Sequence, residues 1–211
     1  MKKVADFPPL GRRFFARPAE VVARELLGHA LVRILDDGTV LAGRIVETEA
    51  YPGPHDPASH SSRGMTEVLR HLWGPPNFSY VYLSMGTSYC LNIVVEPAGR
   101  AGCVLLRALE PLVGIERMRC RRPKAKKDTD LCSGPGRLCQ ALDIDMRLNK
   151  ADMTGGHLFV ARARKKAFTL GVSPRIGISK ATNLPLRFYI MGNSNVSRAK
   201  PTTSGQKERR M

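Results

Sequence analysis

The chain has 211 residues, enough for one sizeable domain, with 43% hydrophobic and 25% charged residues, the balance of a packed globular protein. Thirty-four Lys and Arg against 18 Asp and Glu leave a formal charge of +16, which points to a polyanionic partner, nucleic acid before anionic membrane. No apolar run reaches the length of a membrane span, and five cysteines without a C-x-x-C pair argue against both a disulfide scaffold and a zinc site.

Residues 1–11, punctuated by Pro8, Pro9 and Gly11, read as an extended N-terminal arm. Pro18 opens a helix with Val21, Val22, Leu26 and Leu27 on its apolar stripe, and Gly28 ends it. Strands Ala30–Leu35 and Thr39–Tyr51 flank the hairpin signal Asp36-Asp37-Gly38. Residues 52–62 form a loop rich in Pro, Gly, His and Ser, followed by a short helical piece at Glu67–Trp73. Strands are predicted at Ser79–Ser84, Tyr89–Glu96 and Cys103–Leu109, after which Pro111 starts a helix containing Ile115 and Met118. Residues 121–130 are too polar to pack and form a basic surface loop, and Ser133–Leu142 is a short helix with Pro135 in its first turn. Further strands fall near 157–162, 174–179 and 186–191, and a basic, disordered tail occupies 198–211. Strands with interspersed short helices, without regular βαβ alternation, predict an α+β fold. The expected architecture is a single domain over 12–197, a mixed, mainly antiparallel sheet surrounded by short helices.

Alternation places Ile45, Glu47, Glu49 and Tyr51 on one face of their strand, just before a loop bearing His60. Two readings stand for the carboxylates: solvent exposure at a sheet edge, or a base held in a partly dry cleft to activate water. Arg107 shares a face with Cys103, Leu105 and Leu109, and a buried guanidinium needs a carboxylate or a phosphate. Tyr80 and Tyr82 share a face, and Asn92 interrupts an apolar strand. Aromatics beside a buried amide suit a pocket for a planar base, although core tyrosines with satisfied hydroxyls explain them equally. The cysteines (Cys90, Cys103, Cys120, Cys132, Cys139) read as buried thiols of a reducing compartment, and His60 has no partner at metal-ligand spacing. Neither a metal nor a cofactor is expected. These signals alone support a basic nucleic-acid enzyme or binder, and charge alone fits a general RNA-binding protein.

The run Arg44-Ile45-Val46-Glu47-Thr48-Glu49-Ala50-Tyr51, followed by His60, resembles the alkyladenine (methylpurine) DNA glycosylase family. The same motif order continues through Tyr80-Val81-Tyr82, Tyr89-Cys90-Leu91-Asn92-Ile93, Cys103–Pro111, Leu131–Pro135 and Pro185–Tyr189, so the resemblance covers about residues 10–197. It implies base-excision repair: a damaged purine, alkylated or deaminated, is flipped from double-stranded DNA and its N-glycosidic bond hydrolysed, leaving an abasic site. It implies Glu49 as the general base, with His60 and Arg107 positioning water and carboxylate. Tyr51, His60 and Tyr82 would stack on the extruded base, and Asn92 would floor the pocket against the exocyclic amine of normal guanine. With no lysine placed to attack the sugar, a monofunctional, monomeric enzyme is expected. No export signal is expected to follow Met1-Lys2-Lys3, which suggests an intracellular setting, either bacterial cytoplasm and nucleoid or nucleus.

Two positions depart from the family's pattern. Met85 stands where an aromatic wedge usually precedes Gly86, and an apolar, flexible methionine stacks less well in the duplex. In Thr66-Glu67-Val68-Leu69-Arg70, an acidic residue replaces basic and polar ones. These departures support one alternative, a catalytically weak or inactive lesion-specific DNA-binding protein of the same fold.

Overall fold

A computed structural model describes residues 7–163 and 167–197. The first helices are α1 (Arg12–Phe15) and α2 (Ala19–Leu26). In α2 the buried stripe is Ala19, Val22, Ala23 and Leu26, an i, i+3, i+4, i+7 pattern, which leaves the expected Val21 outside it at 38% exposure. Strand β1 (Ala30–Ile34) pairs antiparallel with β2 (Val40–Tyr51) across the predicted turn, where Gly38 takes φ +78°. Two short 3-10 turns, His60–Arg63 and Arg70–Trp73, lie in the following connection.

Strands β3 (Ser79–Ser84) and β4 (Ser88–Val94) form a hairpin with Met85 and Gly86 at its tip. Strand β5 (Cys103–Val113) runs through Pro111, so no helix starts there. Pro111 faces Gly43 at a register shift between β2 and β5, a place that tolerates proline in a strand. The helix expected at Pro111 is α3 (Ile115–Arg121), which begins after Gly114. A Cβ on Gly114 would lie 2.3 Å from Leu41 Cδ2, and its φ is +76°, so only glycine makes this bend. Helix α4 (Pro135–Leu142) follows, then β6 (Leu158–Ala161), β7 (Leu170–Ser173) and β8 (Arg187–Ile190). The strand expected near 174–179 is absent. Pro174 ends the pairing because it has no N–H to donate, and the chain continues as a loop.

The sheet order is β3-β4-β5-β2-β1-β6, with β8 on β2 and β7 on β8, and every pairing among these strands is antiparallel. The sheet forks along β2: Val40–Arg44 pair with β1, whereas Glu47–Glu49 pair with β8. The fork coincides with irregular register against β5, where Val46 and then Arg107 are the extra residues. Below it, Val46, Ala50, Val104, Leu106 and Ala108 face a core covered by α2 and α4. The extra residue at Val46 shifts the alternation, so Ile45 joins this core rather than the face of Glu47 and Glu49; Leu109 likewise leaves the face of Arg107.

The described part of the arm lies along β6: Pro9 bridges Ala161, and Leu10 N donates to Val160 O at 2.8 Å. The 198–211 tail lies outside the described residues. No helix among them is long and apolar enough to cross a membrane. Four cysteines are buried, and Cys120 is exposed on α3, a correction to its expected burial.

Candidate active site

Strand pairing carries the chemistry in one row. Tyr80 of β3 faces Asn92 of β4, Asn92 faces Leu105 of β5, Leu105 faces Glu49 of β2, and Glu49 faces Arg187 of β8. Side chains on one face of adjacent strands are neighbours, so residues scattered over more than 100 positions meet across the sheet. A cavity of about 680 Å³ opens over this row, with Tyr51, His60, Tyr82, Asn92 and Arg107 in its wall.

Both carboxylates are completely buried, which removes the reading of a solvent-facing sheet edge. Glu47 Oε1 accepts from Arg107 Nε at 3.1 Å, Arg187 Nε at 2.7 Å and Ser197 Oγ at 2.8 Å, and its Oε2 accepts from Ser197 N at 2.7 Å. Three donors on Oε1, two of them guanidinium nitrogens, make Glu47 a structural counter-ion, although its Oε2 accepts from a single donor. Glu49 differs. Its Oε1 accepts from Ile176 N at 2.8 Å and lies 3.2 Å from an Arg107 guanidinium nitrogen, whereas Oε2 receives only the Tyr51 hydroxyl, at 3.0 Å, among the described residues. Tyr51, Arg107 and Ile176 all line the cavity, so Glu49 lies one layer behind its wall. Burial raises the Glu49 pKa above the ordinary carboxylate value, against the pull of Arg107, the Ile176 amide and the Tyr51 hydroxyl.

Arg107 thus joins the two carboxylates, and the extra-residue position in β5 is what turns it between them. His60, at the start of its 3-10 turn, stands instead with the aromatics. Its Nδ1 is 2.6 Å from the Tyr80 hydroxyl, and its ring centroid is 4.6 Å from that of Tyr82. No hydrogen bond or ion pair joins it to Glu49 among the described residues. Burial and nearby Arg63 lower its pKa, which keeps the imidazole neutral at pH 7. Asn92 is buried, donating from Nδ2 to Tyr80 O at 3.2 Å. Met85 projects from the β3–β4 tip, 89% exposed, at the cavity mouth. In the altered turn, Glu67 is neutralised by Arg70 at 3.2 Å, an exposed ion pair clear of the cavity.

Three features escaped sequence reasoning. Ile176 acts through its backbone N–H, for which a side-chain pattern carries no signal. Arg175 and Asp56 form a buried ion pair against Tyr51. Lys180, exposed on the same loop, lines the cavity, a placement that its sequence context does not signal. A second cavity, also about 680 Å³, adjoins the first through Met85, Cys90 and Arg107 and is flanked by Arg122, Lys124, Lys126 and Arg137. No group of three or more potential metal ligands occurs among the described residues.

A methylpurine-DNA glycosylase family model matches residues 13–194. A 3-methyladenine DNA glycosylase homologue from Chlorobaculum parvum is 46% identical over 189 residues, covering 89% of this chain and 90% of its own. One from Methanocella arvoryzae is 46% identical over 200 residues, covering 92% and 98%. The DNA-3-methyladenine glycosylase of Mus musculus is 45% identical over 204 residues, covering 89% of this chain and 61% of its own. The chain belongs to the methylpurine-DNA glycosylase family, monofunctional N-glycosylases that act on alkylated purines in base excision repair.

Proposed function

We propose that Glu49 is the general base that activates water against the sugar of a purine nucleotide extruded from double-stranded DNA. The observation that carries this reading is position: Tyr51, Arg107 and Ile176, the three groups that hold the Glu49 carboxylate, all line the cavity, and Oε2, with the Tyr51 hydroxyl as its one donor among the described residues, keeps a lone pair for water. Arg107 holds that carboxylate in place and balances its charge. Tyr51, His60 and Tyr82 stack on the base, and a neutral His60 spares a cationic alkylated purine from repulsion. Asn92, fixed by the Tyr80 carbonyl, floors the pocket and disfavours the amine of an undamaged guanine.

Met85 enters the stack where the base has left, and the cations of the adjoining cavity bind the phosphate backbone. The working unit is a monomer whose catalytic domain spans 12–197, since one extruded base needs one pocket. Deaminated adenine is a second substrate class beside alkylated purines, because a ring wall reads planarity rather than one substituent.

Ionisation sets the pH dependence. A base must be deprotonated, and burial raises the Glu49 pKa. The rate of base release therefore rises with pH along a limb displaced above the ordinary carboxylate range. Single-turnover base release from an ethenoadenine duplex, followed from pH 4.5 to 8.5, checks this; a rate independent of pH contradicts the role of Glu49. Met85→Ala is expected to weaken binding of a lesion duplex by up to about 5-fold, the low end of an aromatic base-stacking contribution, because methionine stacks less well than an aromatic ring. The matching measurement is a titration of fluorescent duplex, and unchanged affinity removes Met85 from the duplex interface.

A further inference from the structure

The buried pair Asp56–Arg175 is used by no step of the hydrolysis described above. Arg175 is completely buried and Asp56 almost so. The guanidinium meets Asp56 through both terminal nitrogens, one of them 2.8 Å from Oδ1, and donates to Ala50 O at 3.0 Å. Its Cζ also lies over the Tyr51 ring, 4.6 Å from the centroid. Tyr51 lines the cavity and Arg175 does not, so the guanidinium backs the ring. Two loops without strand pairing meet at this pair. Asp56 belongs to the 52–59 turn, seated by Gly53 at φ +108°, where a Cβ would lie 2.4 Å from Ala101 O. Arg175 belongs to the 174–180 segment that crosses the site.

A buried ion pair is a poor device for stability alone, because desolvation offsets its attraction. Its neighbours give it another use. Ala50 and Tyr51 follow Glu49 directly in the chain, and Ile176 follows Arg175. The Tyr51 hydroxyl and the Ile176 amide are two of the three groups that hold the Glu49 carboxylate.

We propose that Asp56 and Arg175 are positioning residues for hydrolysis, a clamp that presses Tyr51 and the Ile176 amide onto the carboxylate of Glu49. The proposal rests on Glu49 being the general base. Releasing the clamp frees both donors, and each of them favours the ionised carboxylate. Glu49 then loses its aim and protonates more readily, so the rate falls and the acid limb moves to higher pH.

The test is single-turnover base release from an ethenoadenine duplex across pH 4.5–8.5, with duplex affinity and thermal melting measured beside it. The double variant Asp56→Asn/Arg175→Met removes the pair without stranding a buried charge. It is expected to bind the duplex as the native protein does, to lose about 10- to 100-fold in rate, as misplacing a catalytic group by an ångström does, and to show its acid limb at higher pH. Arg175→Lys keeps a cation on Asp56 but loses the planar guanidinium over Tyr51 and the two-point fork. It is expected to shift the same way by less, and it serves as the deciding variant if the double variant does not fold. A native rate and native limb in either folded variant overturns the clamp, as does a variant that melts earlier while its limb stays native. Glu49→Gln is run in parallel. If that variant releases base at the native rate, the general-base reading falls and takes the clamp with it. If it is dead while the clamp variants behave as native, the clamp alone falls.

Discussion

Arg107→Met is expected to destabilise the protein by about 3–5 kcal/mol, the usual result of removing one partner from a buried ion pair. Arg107 is the cation shared by Glu47 and Glu49, both completely buried; Glu47 would keep Arg187, but Glu49 would keep only neutral donors in hydrogen-bonding reach. The loss should depend on pH with a definite sign. The folded-state pKa of Glu49 is already raised by burial, and without the opposing pull of Arg107 it rises further. A carboxyl with a raised folded-state pKa contributes stability that is fully present below its unfolded value and lost as pH rises through the folded one. Urea unfolding should therefore show a larger deficit for Arg107→Met at pH 8 than at pH 5. Equal midpoints for native and variant at both pH values would mean that this cluster does not hold the fork of the sheet.

Glu49→Gln is expected to lower the rate of base release by about 10²–10⁴-fold, the range that a positioned general base contributes. The same raised pKa means that ionised Glu49 weakens the fold near neutral pH, so its amide should not melt earlier than the native protein at pH 8. Activity down with stability kept distinguishes a catalytic carboxylate from a structural one. Glu47→Gln should show the opposite pairing, because it disturbs a carboxylate encircled by Arg107, Arg187 and Ser197. Thermal melting and single-turnover kinetics on the two variants separate these patterns.

Much of this was legible in the sequence where local pattern and local structure share a period. The Asp36-Asp37-Gly38 hairpin, the Tyr80–Tyr82 strand and the helix at Pro135 follow from turn chemistry and alternation. Alternation failed where the sheet is irregular. It put Ile45 with Glu47, but the extra residue at Val46 sends Ile45 to the core, and the one at Arg107 aims that guanidinium at both carboxylates. Pro111 looked like a helix start because a proline in a strand is rare, yet the register shift beside Gly43 accommodates it. The stretch 174–179 reads as a strand in the sequence, whereas it is the loop whose Ile176 amide and Arg175 support Glu49. Those contacts depend on how distant loops fold together, and a single sequence carries little signal for them. The resemblance does place His60 beside Tyr82, as the structure has it, but the expected position next to the Glu49 carboxylate is taken by Arg107, Tyr51 and the Ile176 amide.

Hydrolysis by a water that Glu49 activates is probed most directly by product analysis on a duplex with one ethenoadenine, native protein against Glu49→Gln, with borohydride added to a parallel sample. The native protein is expected to free the base and leave an unbroken strand with an alkali-labile site. Glu49→Gln is expected to bind the same duplex and free no base in the time of a native turnover. Release by Glu49→Gln at the native rate would contradict the role of Glu49. A broken strand, or a protein–DNA adduct trapped by borohydride, would put a lysine such as Lys180 in place of water as the nucleophile.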